Sequence, residues 1–364
     1  MLALALLAYV AIGNVHDNLA ARGLNLGFDF LWQEAGFEIA FHLIPYTASD
    51  NYWHVFLIGI TNTLLVTVLA ITLSTILGFA VGIAQLSGNW AMSRAARIYV
   101  EIVRNLPQLL HILIWYNIFL TMFPAPRVAH SLGDVAYLSN RGIFLPALTA
   151  DRPGLLMVVI LIALAAALAL FRSLTVYAER TGRQVNIWLP ALAVLLGLPL
   201  LWVALSGAQI TVSLPHLKGF NFVGGWVVVP ELAALVLAMA IYNAAFIGEL
   251  VRASIESVNK GQREAAAAIG FGWWRTLRFI VIPQAVRVLL PPLSNQYLNI
   301  LKGSSLAVAI GYPDLVSVFT GISINQSGRA IEIVAMTMAV YLAISLLIGA
   351  LINLFNHITR IAER

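Results

Sequence analysis

Seven stretches of this chain run without a single Asp, Glu, Lys or Arg: 55–84, 105–123, 155–171, 184–217, 232–248, 288–301 continued by 303–313, and 333–359. A bilayer core about 30 Å thick is crossed by about 20 apolar helical residues. Within hydrocarbon only a helix or a closed barrel satisfies every backbone group. Runs of this length therefore predict a bundle of membrane-spanning helices. Composition excludes the alternatives. Charged residues are 10% of the 364 and hydrophobic ones 60%, whereas a soluble domain carries about a quarter charged. A soluble enzyme, a disordered regulator and a nucleic-acid binder are thereby ruled out. The chain has no cysteine, and its seven histidines lack ligand spacing, so neither a disulfide frame nor a metal site is expected.

The segment 1–13, MLALALLAYVAIG, is apolar but short. It lacks a basic n-region, so it is expected to belong to a first span that starts upstream of Met1, for about eight spans in all. Charge placement orients them. Loops 84–104, 172–183 and 249–281 with the tail 356–364 hold 13 basic residues, against six on the opposite side. The positive-inside rule then puts the first group, and both termini, in the cytoplasm. Gly78 and Gly82 form a GxxxG pair expected to bring two helices close.

The loop 249–283 carries the most specific signal. Four alanines, Ala265 to Ala268, favour a helix over about Gln262–Ile269. Glu264 is placed in its first turn, where the helix dipole favours a carboxylate, and Gly270 and Gly272 stop it. A helix so small-sided suits insertion into a groove on another protein. Trp273, Trp274, Arg275 and Arg278 equally suit a helix lying on the membrane surface.

The spacing Glu264-Ala265-Ala266, three residues, Gly270, nine residues, Ile280, one residue, Ile282-Pro283 resembles the EAA loop (EAA-x3-G-x9-I-x-L-P) of permease subunits in bacterial ABC importers, with Ile282 in place of Leu. Flanking pieces are similar to the polar amino-acid uptake subfamily: Gly261-Gln262-Arg263, Pro283-Gln284-Ala285, Leu301-Lys302-Gly303-Ser304-Ser305-Leu306, Gly59 to Leu64, and Arg104 to Leu110. The likeness covers 54–123 and about 227–356. It implies an all-α integral membrane protein of type I importer permease fold. Its five core helices would be 55–84, 98–123, 227–248, 286–310 and 331–356. The chain then divides into an N-terminal segment 1–53, core pieces 54–123 and 227–364, and an insertion 124–226 with two extra spans. Such an insertion resembles the long permease subunit of the general L-amino-acid importers.

The resemblance implies a transport subunit of the bacterial inner membrane, without ATPase activity of its own. Partners would be two cytoplasmic ATPase subunits, a second permease subunit (a paralogue or a copy of this chain), an outer substrate-binding protein and an amino-acid substrate, with no nucleic acid. No cofactor is bound by this chain, and ATP is used by the partners. Gly261, Gln262, Arg263, Glu264, Ala265, Ala266, Gly270 and Pro283 would couple it to an ATPase. Glu264 would seat the first turn, Ala265 and Ala266 allow close approach, and Gly270 ends the helix. The sequence agrees, because Lys218, Lys260 and Lys302 each precede a glycine and none follows one, which excludes a phosphate-cradling G-x4-GK[ST] loop. Leu205 to Gln209 imitates an ABC ATPase signature by coincidence.

Polar residues inside spans are costly and often functional. Asn62, Thr63, Asn243, Asn295, Asn299, Lys302, Ser304 and Ser305 are therefore candidates for the translocation path. For the asparagines the competing reading is interhelical bonding. Lys302 could meet a substrate carboxylate, snorkel outward, or pair with Asp314. Pro291, Pro292 and Gly303 suggest a broken helix. Rival functions are a permease for another polar solute, a secondary transporter or channel, and a membrane enzyme. The last two lack buried carboxylate pairs or a His cluster.

Overall fold

The computed structural model describes residues 27–182 and 186–358. The segment 1–13 and residues 359–364 of the tail lie outside them. The chain forms two compact units, one from the chain up to Met122 together with Val229 onward, the other Phe123–Val228.

The first unit is helical. Helix α1 (Tyr52–Gln85) starts where the Asn51 side chain accepts the His54 N–H. Its 34 residues reach about 50 Å, longer than the hydrocarbon core. Helices α2 (Trp90–Arg104) and α3 (Gln108–Met122) follow. The single core helix expected over 98–123 is thus two helices. The division falls at Pro107, whose ring removes an N–H donor and disfavours helical backbone at Leu106.

Numbering continues past the second unit with α6 (Pro230–Glu256), which opens on a proline at N1. It is the most buried of the long helices, and Ala234, Ala238, Ala240, Ala244, Ala245 and Gly248 make it thin enough for neighbours on several sides. Against it lies the GxxxG edge of α1: a Cβ on Gly78 would come within 2.6 Å of Ile247, and one on Gly82 within 2.6 Å of Val251. A short helix α7 (Lys260–Ala268) leads to a turn at Trp273–Thr276, a π-helical turn Leu277–Val281, and α8 (Ile282–Gly303). Helix α8 continues through Pro291 and Pro292, so the expected break does not occur there. It comes at Gly303, where the backbone tightens into a 3-10 segment, Ser304–Ile310. Then follow a π-helical stretch, Val316–Ser323, and α9 (Ala330–Ile358).

Before α1, residues 27–51 fold onto its start, burying Phe30, Leu31, Ala35, Ile39 and Tyr46 against Tyr52, Val55 and Phe56. Asp50 takes the Thr47 N–H at 2.8 Å, and that bond, helped by the Thr47 hydroxyl and His54, holds its carboxyl below the usual range.

The second unit holds helices α4 (Pro153–Thr181) and α5 (Trp188–Ser206), apolar and almost wholly exposed, as suits lipid-facing spans. The charge-free run 184–217 is only partly helical. Gly207, at φ +63°, ends α5, and Ile210–Ser213 is a strand. The unit also contains eight short strands that the all-α expectation omits: β1 (His130–Leu132), β2 (Ala136–Ser139), β3 (Gly142–Leu145), β4 (Ala147–Ala150), β5 (Ile210–Ser213), β6 (His216–Lys218), β7 (Asn221–Val223) and β8 (Trp226–Val228). They form an antiparallel sheet β1-β2-β3-β8 and the pairs β4-β5 and β6-β7. Each is too short to give a clear period-two signal. Tyr137 stacks on Phe222 at 4.4 Å, and Arg127 lies 4.2 Å above Phe220.

Among the described residues six helices are long and apolar enough to cross a membrane, with α3 a shorter apolar one.

Candidate coupling loop and translocation face

Helix α7 begins two residues earlier than its alanines suggest. The Asn259 side chain caps it, accepting the Gly261 N–H at 2.8 Å. Glu264 therefore falls in the second turn and does not seat the first. The Arg263 guanidinium donates to the Ile255 carbonyl at 2.9 Å and ties α7 to the last turn of α6. At the other end the Phe271 N–H reaches the Ala266 carbonyl and the Gly270 N–H the Ala267 carbonyl, both at 3.0 Å. This pair of bonds is a Schellman cap, and it requires Gly270 at φ +82°. Nothing lies within 4 Å of a Cβ there, so backbone conformation alone demands glycine.

The alanines divide between two environments. Ala266 is 1% exposed, and α7 as a whole packs against Trp273–Thr276 and Leu277–Val281. Gly261, Gln262, Arg263, Glu264, Ala265, Ala267 and Ala268 are exposed. Ala266 thus seats the helix on its own chain, and Ala265 belongs to the free face. Ile269, Trp273, Trp274 and Phe279 are also widely exposed around it. Pro283 opens α8 in its first turn.

The polar residues of the spans separate into three groups. Asn243 is an interhelical bond: it gives its amide to the Met239 carbonyl and takes the Gln296 amide at 2.7 Å, joining α6 to α8. Asn243→Leu should lower stability by about 1 kcal/mol, the upper range for such bonds in membranes, and a second change, Gln296→Leu, should restore part of it. Thermal melts of the two variants check this. A second group, Asn62, Thr63 and Ser304, is wholly buried. The third, Asn295, Asn299 and Lys302, is exposed. Its spacing of four and three residues places all three on one face of α8. Ser305 donates to the Lys302 carbonyl. Lys302 does not pair with Asp314, which is buried and takes part in none of the ion pairs among the described residues.

A cleft of about 550 Å³ opens between the ends of α1, α2 and α6, lined by Gln85, Arg97, Glu101, Arg104, Phe246, Glu249 and Arg252 among others. Arg104 lies 5.2 Å above the Phe246 ring, and Arg252 bridges Glu249 and Glu256. Gln85 is 2% exposed, with an amide nitrogen that has no partner. The sequence marks Arg104, Glu249 and Arg252 only as charged helix ends, since no spacing along the chain says that three helices converge there.

Residues 173–360 match the family model described as binding-protein-dependent transport system inner membrane component. The chain is 48% identical over 352 residues to the putative amino-acid ABC transporter permease protein YhdX of Escherichia coli (strain K12), covering 96% of this chain and 90% of that one. The chain belongs to the binding-protein-dependent inner membrane component family. Another relative is the general L-amino acid transport system permease protein AapQ of Rhizobium johnstonii, 43% identical over 96% of this chain and 88% of its own. The glutamate/glutamine/aspartate/asparagine transport system permease protein BztB of Rhodobacter capsulatus is 37% identical over 97% and 90%. A crystal structure of an amino acid ABC transporter with histidines has the same fold, at TM-score 0.50 and 20% identity over 84% of this chain and 94% of that one. The family match contains the whole candidate coupling loop, α8 and α9.

Proposed function

We propose that this chain is the permease subunit of an ATP-driven amino-acid importer. It works with a second permease subunit, a paralogue of this one, two cytoplasmic ATPase subunits that bind and hydrolyse the ATP, and an outer substrate-binding protein. The observation that carries the reading is near full-length likeness to three permeases named for amino-acid transport, together with a capped, small-sided helix presented outward by the same chain. Basic residues favour α7 and the termini on the cytoplasmic side. On this reading the exposed face of α7, from Gly261 to Ala265 and on to Ala268, seats in an ATPase groove, and Gly270 and Pro283 fix the chain's direction on leaving it. Rigid elements then carry the switch between inward-open and outward-open states.

The stripe Asn295, Asn299 and Lys302 supports a path along α8 where it meets the second permease subunit. Three polar groups on lipid would be costly, and on a watered interface they are not. The charged cleft suits a zwitterion, with guanidinium groups for a carboxylate and Glu101 or Glu249 for an ammonium. Reconstitution of the co-purified complex in liposomes, with ATP and a panel of amino acids and other polar solutes, tests the assignment. Uptake confined to another solute class, or uptake by this chain alone, would overturn it. Asn299→Leu is expected to cut amino-acid uptake about tenfold, a change of ~1.4 kcal/mol, while the ATPase subunits still co-purify. Unchanged uptake would remove α8 from the path.

A further inference from the structure

The wholly buried group around Asn62 lies where four segments meet. Asn62 and Thr63 come from α1, Ser304 from the start of the 3-10 segment, Tyr312 and Asp314 from the turn after it, and the half-buried Tyr341 from α9. The Asn62 amide nitrogen donates to the carbonyls of Phe41 at 3.0 Å and Pro313 at 2.8 Å. The Tyr312 hydroxyl donates to the Asn62 carbonyl, and the Leu315 N–H to the Thr63 hydroxyl at 3.0 Å. One Asp314 oxygen takes the Ser317 N–H at 2.8 Å. Three buried polar atoms lack a well-aligned hydrogen bond: Asn62 Oδ1, Asp314 Oδ2 and the Tyr341 hydroxyl, the last two facing each other. Tyr341 stands beside the side chains of Asp314, Ser304 and Thr63.

Asn62 is 0% and Asp314 1% exposed, so neither leftover oxygen reaches bulk solvent. Tyr341 is the twelfth residue of α9, which places the cluster roughly 16 Å along that helix from its start, well inside an apolar segment long enough to cross a membrane. A lone carboxylate at that depth is expensive. No cationic side chain compensates it among the described residues, and Tyr312 and Tyr341 are the titratable groups beside it.

We propose that this cluster is a sodium-ion site, with Asp314 Oδ2, Asn62 Oδ1 and the Tyr341 hydroxyl as ligands and the Thr63 and Ser304 hydroxyls in reach. The donors are all hard oxygens, the set that suits s-block cations. Their total charge is one negative, which matches a monovalent ion, whereas protein sites for divalent ions gather more carboxylates. The ion bridges α1, the turn at 312–315 and α9, and supplies the missing counter-charge. This goes beyond the transport role proposed above and does not depend on it.

The test is a thermal melt of the full chain, purified from membranes with whatever subunits accompany it, in sodium chloride and in choline chloride at equal ionic strength. Sodium is expected to raise the midpoint by about 2–4 °C in a saturable way. Asp314→Asn should abolish that response, and Asp50→Asn, on the outer segment, should keep it. Should Asp314→Asn fail to fold, Tyr341→Phe removes one ligand oxygen and should weaken the sodium midpoint about tenfold, a ligand being worth ~1.4 kcal/mol. Equal melting in sodium and choline, with stability following pH alone, would mean a protonated Asp314 and overturn the site. A sodium response unchanged in both variants would overturn it as well.

Discussion

Gly78→Leu is expected to prevent this protein from folding. The two glycines on α1 are where it crosses α6, and a single added carbon at Gly78 already stands 2.6 Å from both Cβ and Cγ2 of Ile247. Closeness is reciprocal, since a Cβ on Gly248 would come 2.8 Å from Val81. Without a hydrophobic drive between helices in lipid, such contact is what holds them together. Overpacking by one or two methylenes costs about 1–3 kcal/mol in a well-filled core. Leucine adds four carbons against the backbone of the most buried helix, so separation of α1 from α6 is the only relief. Size-exclusion of the solubilised protein should show aggregate, with Gly78→Ala intermediate. Gly349→Leu is the control, because nothing lies within 4 Å of a Cβ there. A monodisperse Gly78→Leu protein with a wild-type melt would remove the glycine crossing as a determinant of this fold.

Ala265→Trp is expected to leave the fold intact and to abolish transport. Ala265 is exposed on α7, so a large ring there meets solvent in the isolated chain and blocks any groove that receives the helix. Import in cells should fall about a hundredfold, a loss of ~2.7 kcal/mol, and the ATPase subunits should no longer co-purify. Ala266→Trp separates docking from folding. Its side chain is buried within the chain itself, so it should lower the melting midpoint instead. Gly270 gives a finer measure. Gly270→Asn tolerates positive φ and should retain most transport, whereas Gly270→Val combines a β-branched side chain with φ +82° and should lose it. Wild-type import by Ala265→Trp would exclude the exposed face of α7 as the contact.

Much of this is readable along the chain. Most charge-free runs become helices because hydrocarbon leaves the backbone no other partner, and 184–217 is helical only over Trp188–Ser206. The coupling segment is legible through its glycine and alanines, whose effects are local. What escapes depends on three dimensions. Four identical alanines carry no sign of which one faces inward, and only the folded packing of α7 selects Ala266. Pro107 breaks a helix while Pro291 and Pro292 do not, although all are prolines within apolar stretches. The strands of 130–228 are three or four residues each, below the length at which alternation is visible. The buried cluster and the charged cleft draw on segments up to 279 and 167 positions apart, Asn62 to Tyr341 and Gln85 to Arg252, and no motif spans that distance.

One connection has a mechanical meaning. Only Ser257, Val258 and Asn259 separate α6 from α7, and Arg263 clasps the Ile255 carbonyl across that gap. A three-residue link so tied leaves little slack between the two helices. If α7 docks as proposed, a load applied to it would pass directly to α6, and through the glycine crossing to α1, so input and response would share one stroke. Lengthening the link by a few flexible residues would let the input travel idle before anything in the membrane followed.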